Sequence, residues 1–254
     1  MSHQLPQAVL LDLDDTILDD SGNVAQCWLE ACIAHRSVMG DLDPTVLCET
    51  IERTRNWFWA DPERHREGRL DLDAARCEIV RISLADVGAD IPGLAAKVAE
   101  TYSRRRDMGI QPFADAVDTV RWLRECRCRL ALLTNGSGVA QRSKVDRFGL
   151  AELFDLILIE GELGFGKPDP RVYQQALDEM AVAPSDTWMV GDNLEWDVAQ
   201  PQRLGIFSIW VDVRGSGLPS GHKVRPDRIV RKLSELRELS TNSEQARVGP
   251  AATA

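Results

Sequence analysis

The stretch AVLLDLDDT, residues 8–16, decides the fold of this chain. Residues 8–11 are apolar, and carboxylates follow at Asp12, Asp14 and Asp15. An apolar run with a charge at its end predicts a strand at Ala8–Leu13 that is buried on both faces, as in a parallel sheet. Open parallel sheets bind ligands at the carboxyl ends of their strands. The segment therefore predicts both a central strand and the site at its end.

Working outward from this segment, similar apolar runs alternate with helical patterns. The runs predict further strands at Arg129–Leu133, Leu156–Ile159, Thr187–Val190 and Phe207–Val211. Asp169 and Pro170 are typical of an N-cap and a first helical residue. Strands that alternate with helices predict an α/β domain, a doubly wound and mostly parallel sheet with right-handed crossovers.

More than a hundred residues separate the first strand from the second, far more than one crossover needs. This interval shows helical periodicity and no convincing strand. We expect a Rossmann-like core formed by residues 1–18 and 111–240, with an inserted all-α domain at 19–110. Residues 241–254 are rich in small and polar residues, which predicts a disordered tail.

Composition narrows the class of protein. The 254 residues carry a formal net charge of −10, which argues against nucleic acid as a partner because phosphate-backbone binding needs Lys and Arg. No run approaches the roughly 20 apolar residues of a membrane helix. The polar start predicts no signal peptide, and the six cysteines show no CxxC pair. We expect a cytoplasmic protein with reduced cysteines that does not bind a membrane.

Three carboxylates are expected at one edge of the sheet. Asp12 and Asp14 follow the first strand, and Asp192 follows the strand at Thr187–Val190. Such a set is repulsive without a cation, and all-oxygen ligands favour a hard divalent ion, with Mg²⁺ usual where a phosphate completes the shell. One carboxylate of the first pair could serve as nucleophile and the other as general acid and then base.

Phosphate-binding groups are expected at the same edge. Thr134 and the backbone N–H groups of Asn135 and Gly136 lie between a strand and a helix start, where they offer donors to phosphate oxygens. Lys167 adds a positive charge opposite the charge that develops during transfer. The sequence therefore favours chemistry on a small phosphate ester.

In this order, DLDDT, TNG, the lysine of GKPDP, and GDNLEWD resemble the four motifs of the haloacid dehalogenase superfamily. Any one motif is weak evidence, and the ordered set is strong. The inserted domain lies where the family's type 1 helical cap belongs. The resemblance implies these roles: Asp12 as nucleophile and metal ligand, Asp14 as acid/base with its carbonyl on the metal, Thr134 and Lys167 as phosphate holders, Asp192 as metal ligand, and Asp197 as a carboxylate that lies behind the metal ligands and orients Lys167.

The resemblance implies a Mg²⁺-dependent phosphomonoester hydrolase that acts on a small phosphorylated metabolite through an aspartyl-phosphate. A phosphomutase and a haloacid dehalogenase on the same fold stay open, as does a catalytically idle phosphate-binding regulatory protein. Asp14 argues against a dehalogenase, because the pattern of that branch lacks the second acid. The sequence does not indicate which substrate is used, the oligomeric state, or whether the cap rests open or closed.

Substrate selectivity must come from outside these motifs. Within the predicted cap, Trp57, Trp59 and Arg64 form an aromatic and basic segment. Flat rings suit a base or a sugar face, and a guanidinium suits a carboxylate or a second phosphate. Pro62 predicts a helix break, so we expect this segment to present its side chains from a loop.

Overall fold

The computed structural model describes residues 5–239 and divides the chain into two compact units. The first unit contains the chain up to Asp19 and from Pro112 onward, and the second spans Asp20–Gln111. The tail predicted at 241–254 lies outside the described residues. No helix in the described part of the chain is long and apolar enough to cross a membrane.

The first unit is built on a parallel sheet whose strands, within residues 5–239, occur in the order β5-β4-β1-β6-β7-β8. The strands are β1 Ala8–Leu11, β2 Leu18–Asp19, β3 Gln111–Pro112, β4 Arg129–Thr134, β5 Leu156–Ile159, β6 Thr187–Gly191, β7 Phe207–Val211 and β8 Arg228–Val230. The short strands β2 and β3 pair separately with each other.

The central strand β1 is buried along its whole length, as its apolar sequence predicts. It pairs in parallel with β4 on one side and β6 on the other, so the strand order reverses at β1. A reversal of this kind leaves a crevice beyond the carboxyl ends of the strands, and Asp12 is the first residue there. The predicted doubly wound parallel α/β sheet is therefore confirmed.

The helices of the first unit connect its strands, and polar side chains cap two of them at the N-terminus. They are α6 Ala116–Glu125, α7 Gly138–Arg147, α8 Glu160–Leu163, α9 Pro170–Glu179 and α10 Gln200–Arg203. Asp169 caps α9 by accepting from the N–H of Arg171, with Pro170 as the first helical residue, as predicted. Ser137 caps α7 in the same way. The apolar stripe of α9, which includes Tyr173, is buried against the sheet.

Apart from Gln111, which belongs to β3, the regular elements of the second unit are helices. Its helices are α1 Val24–Ala34, α2 Pro44–Ala60, α3 Pro62–Gly68, α4 Leu72–Asp86 and α5 Leu94–Gly109. The four long helices pack as neighbours in the order α1, α2, α4, α5 and back to α1. Their apolar faces form one core, in which the rings of Trp28 and Tyr102 stack 3.6 Å apart.

The structure corrects one expectation and adds a strand of the main sheet that the sequence did not predict. The segment after Pro62 is the helix α3 and not a loop, because Pro62 starts a new helix at its first position while Asp61 accepts from two N–H groups as its N-cap. The strand β8 was not predicted from the sequence. It has three residues between polar neighbours and lies at the sheet edge, where burial no longer demands a long apolar run.

Candidate active site

A buried lysine links two buried aspartates beyond the ends of β1 and β6. Lys167 Nζ lies 2.6 Å from Asp12 Oδ1 and 2.7 Å from Asp197 Oδ1. Burial disfavours the charged lysine, yet the two carboxylates outweigh burial and raise the pKa of Lys167, so it stays an ammonium. Its charge is therefore held against the carboxylate at the end of the central strand.

Asp12 is oriented through both of its oxygens. Oδ1 accepts from Lys167, and Oδ2 accepts from the Thr16 hydroxyl at 3.1 Å. Burial raises the pKa of Asp12 to about 6 against the opposing effect of Lys167. At neutral pH the group is therefore mostly ionised, as a carboxylate nucleophile must be.

Three carboxylates converge at this point. Oxygens of Asp12, Asp192 and Asp197 lie within 4.8 Å of one another. Burial, followed by the charges of Asp12 and Asp197, raises the pKa of Asp192 to about 9. One ammonium faces three carboxylates, so the fully ionised cluster carries two uncompensated negative charges. An all-oxygen donor set with this charge fits a hard divalent cation such as Mg²⁺.

The backbone after β6 holds Asp197 in place. Asp197 Oδ2 accepts from the N–H of Asn193 at 3.0 Å, and its Oδ1 accepts from Lys167. The acid lies in a π-helical turn, Leu194–Ala199, and it is completely buried. A Cβ at Gly191 would lie 2.3 Å from Asp197 Cγ, so this approach requires glycine at the strand end.

Asp14 is held by two residues of α7. Lys144 Nζ lies 2.8 Å from each of its carboxylate oxygens, and Gln141 Nε2 lies 2.9 Å from Oδ2. The same Nε2 lies 2.7 Å from Thr134 Oγ1 and 2.7 Å from the carbonyl of Asn135. An amide has two hydrogens for these three acceptors. The acid and the threonine therefore share one buried donor.

The loop after β4 is tied to the segment that carries the lysine. The Asn135 side chain accepts from the N–H of Lys167 at 2.8 Å and donates to its carbonyl at 2.6 Å. The N–H of Gly136 donates to the buried carboxylate of Glu160 at 3.0 Å. In this structure the Asn135 side chain and the Gly136 N–H thus position the loop, whereas the sequence predicts donors to phosphate at these two residues.

The predicted catalytic residues of the first unit meet at one edge of the sheet. Direct contacts join Asp12, Lys167 and Asp197, and Asp192 lies beside them. Thr134 connects to Asp14 through Gln141. The carboxylates whose oxygens lie within 4.8 Å of one another are those of Asp12, Asp192 and Asp197, whereas Asp14 was expected to contribute only its backbone carbonyl.

The predicted selectivity residues lie in the second unit. The Arg64 guanidinium donates to the carbonyls of Trp57 and Phe58 and covers the Trp57 ring at 3.8 Å. These carbonyls lie in the last turn of α2 and lack helical partners, so Arg64 caps that helix. Trp59 packs against the unit's core, while Trp57 is exposed. A contact of Trp57, Trp59 or Arg64 with substrate stays a prediction.

Three residues of the site were not predicted from the sequence: Gln141, Lys144 and Glu160. Gln141 and Lys144 are three residues apart on α7, so they lie on one face of a helix that starts directly after the TNG motif. That spacing could have predicted that both side chains face the site. Glu160 gave no such signal, because only the pairing of β4 with β5 brings it to Gly136.

The family model of haloacid dehalogenase-like hydrolases matches residues 6–205. A phosphoserine phosphatase of Thermus thermophilus is 36% identical over 252 residues, which covers 91% of this chain and 96% of that protein.

Solved structures show the same architecture. A 2-haloacid dehalogenase from Pseudomonas syringae is 28% identical with a TM-score of 0.61, and the match covers 93% of this chain and 99% of that one. The putative hydrolase YfnB from Bacillus subtilis, bound to magnesium, is 22% identical with a TM-score of 0.72 over 93% and 99% of the two chains.

Proposed function

The chain belongs to the haloacid dehalogenase-like hydrolase family, and we propose that it is a Mg²⁺-dependent phosphatase of small phosphomonoesters that works through an aspartyl-phosphate. One observation carries the proposal: Lys167 bridges Asp12 and Asp197 while Asp192 lies within 4.8 Å. An oriented carboxylate beside a fixed ammonium suits attack on phosphorus and compensation of the charge that develops.

The first half-reaction transfers the phosphoryl group to Asp12. A carboxylate oxygen of Asp12 forms a bond to phosphorus as the bond from phosphorus to the leaving oxygen breaks. Asp14 donates a proton to that oxygen, so the product leaves as an alcohol. Lys144 and Gln141, which hold Asp14, keep the acid beside the loop that carries Thr134.

The second half-reaction restores the nucleophile. Water attacks phosphorus and Asp14, now ionised, accepts its proton. The acyl–phosphate bond breaks, and Asp12 and inorganic phosphate are released. Lys167 stays paired to Asp197 throughout, which keeps its charge at the reacting group.

The carboxylates of Asp12, Asp192 and Asp197 would hold Mg²⁺, directly or through water. When bound, the ion neutralises carboxylate and phosphate oxygens and polarises the phosphoryl group. The raised pKa of Asp192 supports this assignment, because a cation offsets the crowding that otherwise keeps the acid protonated.

Dehalogenation is the alternative that the solved structures bring forward. It needs no proton on the leaving halide, whereas this site fixes a second carboxylate, Asp14, with two side chains of α7. An alcohol leaving group, which requires a proton, explains why Asp14 is held at this position. Phosphomutase activity uses the same groups and differs only in retaining the phosphorylated intermediate.

The test is release of inorganic phosphate from a panel of phosphorylated metabolites with Mg²⁺ present. O-Phosphoserine leads the panel because a 36% identical relative is named for it. Parallel reactions measure halide release from 2-chloropropionate and phosphate transfer between sugar positions. Phosphate release that requires Asp12 and stops on chelation supports the proposal. Halide release without phosphate release would overturn it. A cytoplasmic location stays a prediction.

A further inference from the structure

Three arginines surround one aromatic pair inside the helical unit. We call Arg55, Arg76 and Arg106 the arginine cluster. The pair is Trp28 and Tyr102, whose rings stack 3.6 Å apart with planes 8° from parallel. Arg76 Cζ lies 5.2 Å from the Tyr102 ring centroid, and Arg106 follows Tyr102 by one turn of α5.

Unpartnered hydrogen-bond donors gather around this pair. Within residues 5–239, Trp28 Nε1, Arg55 Nε and Arg106 Nε are buried and have no hydrogen-bond partner. Trp28 is 3% exposed and Arg106 is 5% exposed. All three atoms are N–H donors. Buried donors are nearly always satisfied in folded proteins, so three in one small unit indicate a missing acceptor.

The buried positive charge of the arginine cluster also exceeds the buried negative charge around it. Its ion pairs are Arg106–Asp20 at 2.6 Å, Arg76–Asp73 at 3.9 Å and Arg55–Glu52 at 3.4 Å. Asp20 is mostly buried, whereas the side chains of Asp73 and Glu52 are 86% and 51% exposed. Exposed carboxylates are screened by water and compensate a buried guanidinium weakly. The interior of the cluster therefore keeps an excess of positive charge.

The three guanidiniums act on a single hydroxyl. Burial raises the pKa of Tyr102, while Arg106, Arg76 and Arg55 all act in the opposite direction. Groups from α2, α4 and α5 thus converge on the end of one tyrosine side chain.

We propose that the arginine cluster, together with Trp28 Nε1, binds a small carboxylate. Two of the unpartnered atoms are guanidinium Nε, which forms half of the side-on fork that donates to both oxygens of a carboxylate. One negative charge would offset the excess. The carboxylate comes either from the phosphorylated substrate or from a free metabolite. The substrate source deepens the proposed function and rests on it.

Binding is measured first without turnover. Isothermal titration compares two pairs of probes, L-serine with ethanolamine and glycerate with glycerol, which differ in the carboxylate. The variants are Trp28→Phe, which keeps an aromatic ring but removes its N–H, and Arg55→Gln, which removes a partly exposed guanidinium. Arg53→Gln is the matched control, since Arg53 lies on the same helix with 65% of its side chain exposed. Circular dichroism melts establish that each variant folds.

Kinetics then identify the source of the carboxylate. The substrates are O-phosphoserine with phosphoethanolamine and 3-phosphoglycerate with glycerol 3-phosphate. For a substrate carboxylate, Trp28→Phe and Arg55→Gln raise the KM of the carboxylated member roughly ten- to a hundredfold relative to its partner, the loss expected for one charge-assisted hydrogen bond. For a free carboxylate, the variants weaken titrated binding by that factor and leave the KM ratios unchanged.

The inference is overturned if neither the titrations nor the KM ratios distinguish the two variants from wild type, or if Arg53→Gln has the same effect as Arg55→Gln. It is also overturned if inorganic phosphate binds as tightly as the carboxylates and is lost in the same variants. Hydrolysis of 4-nitrophenyl phosphate separates the two proposals. Carboxylate binding without that hydrolysis removes the proposed function alone, and hydrolysis without carboxylate discrimination removes this inference alone.

Discussion

Replacing Lys167 with Met removes one charge from a buried three-membered cluster and keeps most of the side-chain volume. In the native protein the ammonium lies 2.6 Å from Asp12 and 2.7 Å from Asp197. Its side chain is 2% exposed, and those of the two acids are 9% and 0% exposed, so water cannot replace the lost donor. We expect a large loss of stability together with a loss of activity.

The magnitude follows from burial. Removing one partner of a buried ion pair leaves an uncompensated charge and costs about 3–5 kcal/mol. Two acids lose their partner here, so we expect a loss in that range without metal. At about 2–4 °C per kcal/mol for a protein of this size, the Tm should fall by roughly 6–20 °C. Phosphate release should fall by ~10²-fold or more, because the fixed charge opposite the transferred group is gone.

The assay is thermal unfolding with chelator, followed by the same melt with Mg²⁺. Arg171→Met is the matched control. Arg171 is also a basic residue in an ion pair, 2.7 Å from Asp169, but it lies on the surface and its loss should hardly move the curve. Mg²⁺ should restore part of the Tm of Lys167→Met, because a cation takes over compensation of the carboxylates. A loss below about 1 kcal/mol, within the usual range of an exposed pair, would refute the reasoning.

Three further outcomes are expected. Asp14→Asn should slow turnover by ~10²-fold or more on alkyl phosphates and by less on 4-nitrophenyl phosphate, with Lys144→Met in the same direction; equal slowing on both leaving groups would count against Asp14 as the acid. Since burial raises the pKa of Asp192 from 3.8 to about 9, the metal-free folded protein holds a proton that the unfolded chain releases, so its unfolding free energy should fall as pH rises between these values. Mg²⁺ competes with that proton, and the rise in Tm on adding Mg²⁺ should therefore grow from pH 6 to pH 9; a rise independent of pH would exclude Asp192 as a ligand. Arg64→Ala should destabilise the helical unit by about 1 kcal/mol because the capping of α2 is lost, and unfolding measurements test this. Trp57→Ala should change KM or substrate ranking with little change in Tm, which a substrate panel and a thermal melt test.

Local features of the chain specify its main strands and the parallel direction of the sheet, whereas the order of the strands comes from the folded structure. Apolar runs such as Ala8–Leu11 can be satisfied only in a strand buried on both faces, and the helical periods between them force parallel crossovers. Patterns of this kind extend over a few residues, so they can be recognised in the sequence without knowledge of the fold. The Pro62 segment shows their limit, because proline ends one helix and begins another with equal ease, and the cap provided by Asp61 decided between them.

The candidate site was likewise predictable from the sequence only in part. Strand-end positions alone predict Asp12 and Asp192 at one edge of the sheet, because parallel strands put their carboxyl ends together. The folded chain sets which atoms pair. Contacts such as Lys144 with Asp14, or Glu160 with the N–H of Gly136, join residues 130 and 24 positions apart. Such contacts depend on the register of neighbouring strands and on the placement of side-chain atoms to within a few tenths of an ångström. No short-range sequence pattern encodes either of these. The unsatisfied donors of the arginine cluster are likewise a property of packing, since burial of an N–H becomes costly only when the folded chain has excluded water from it.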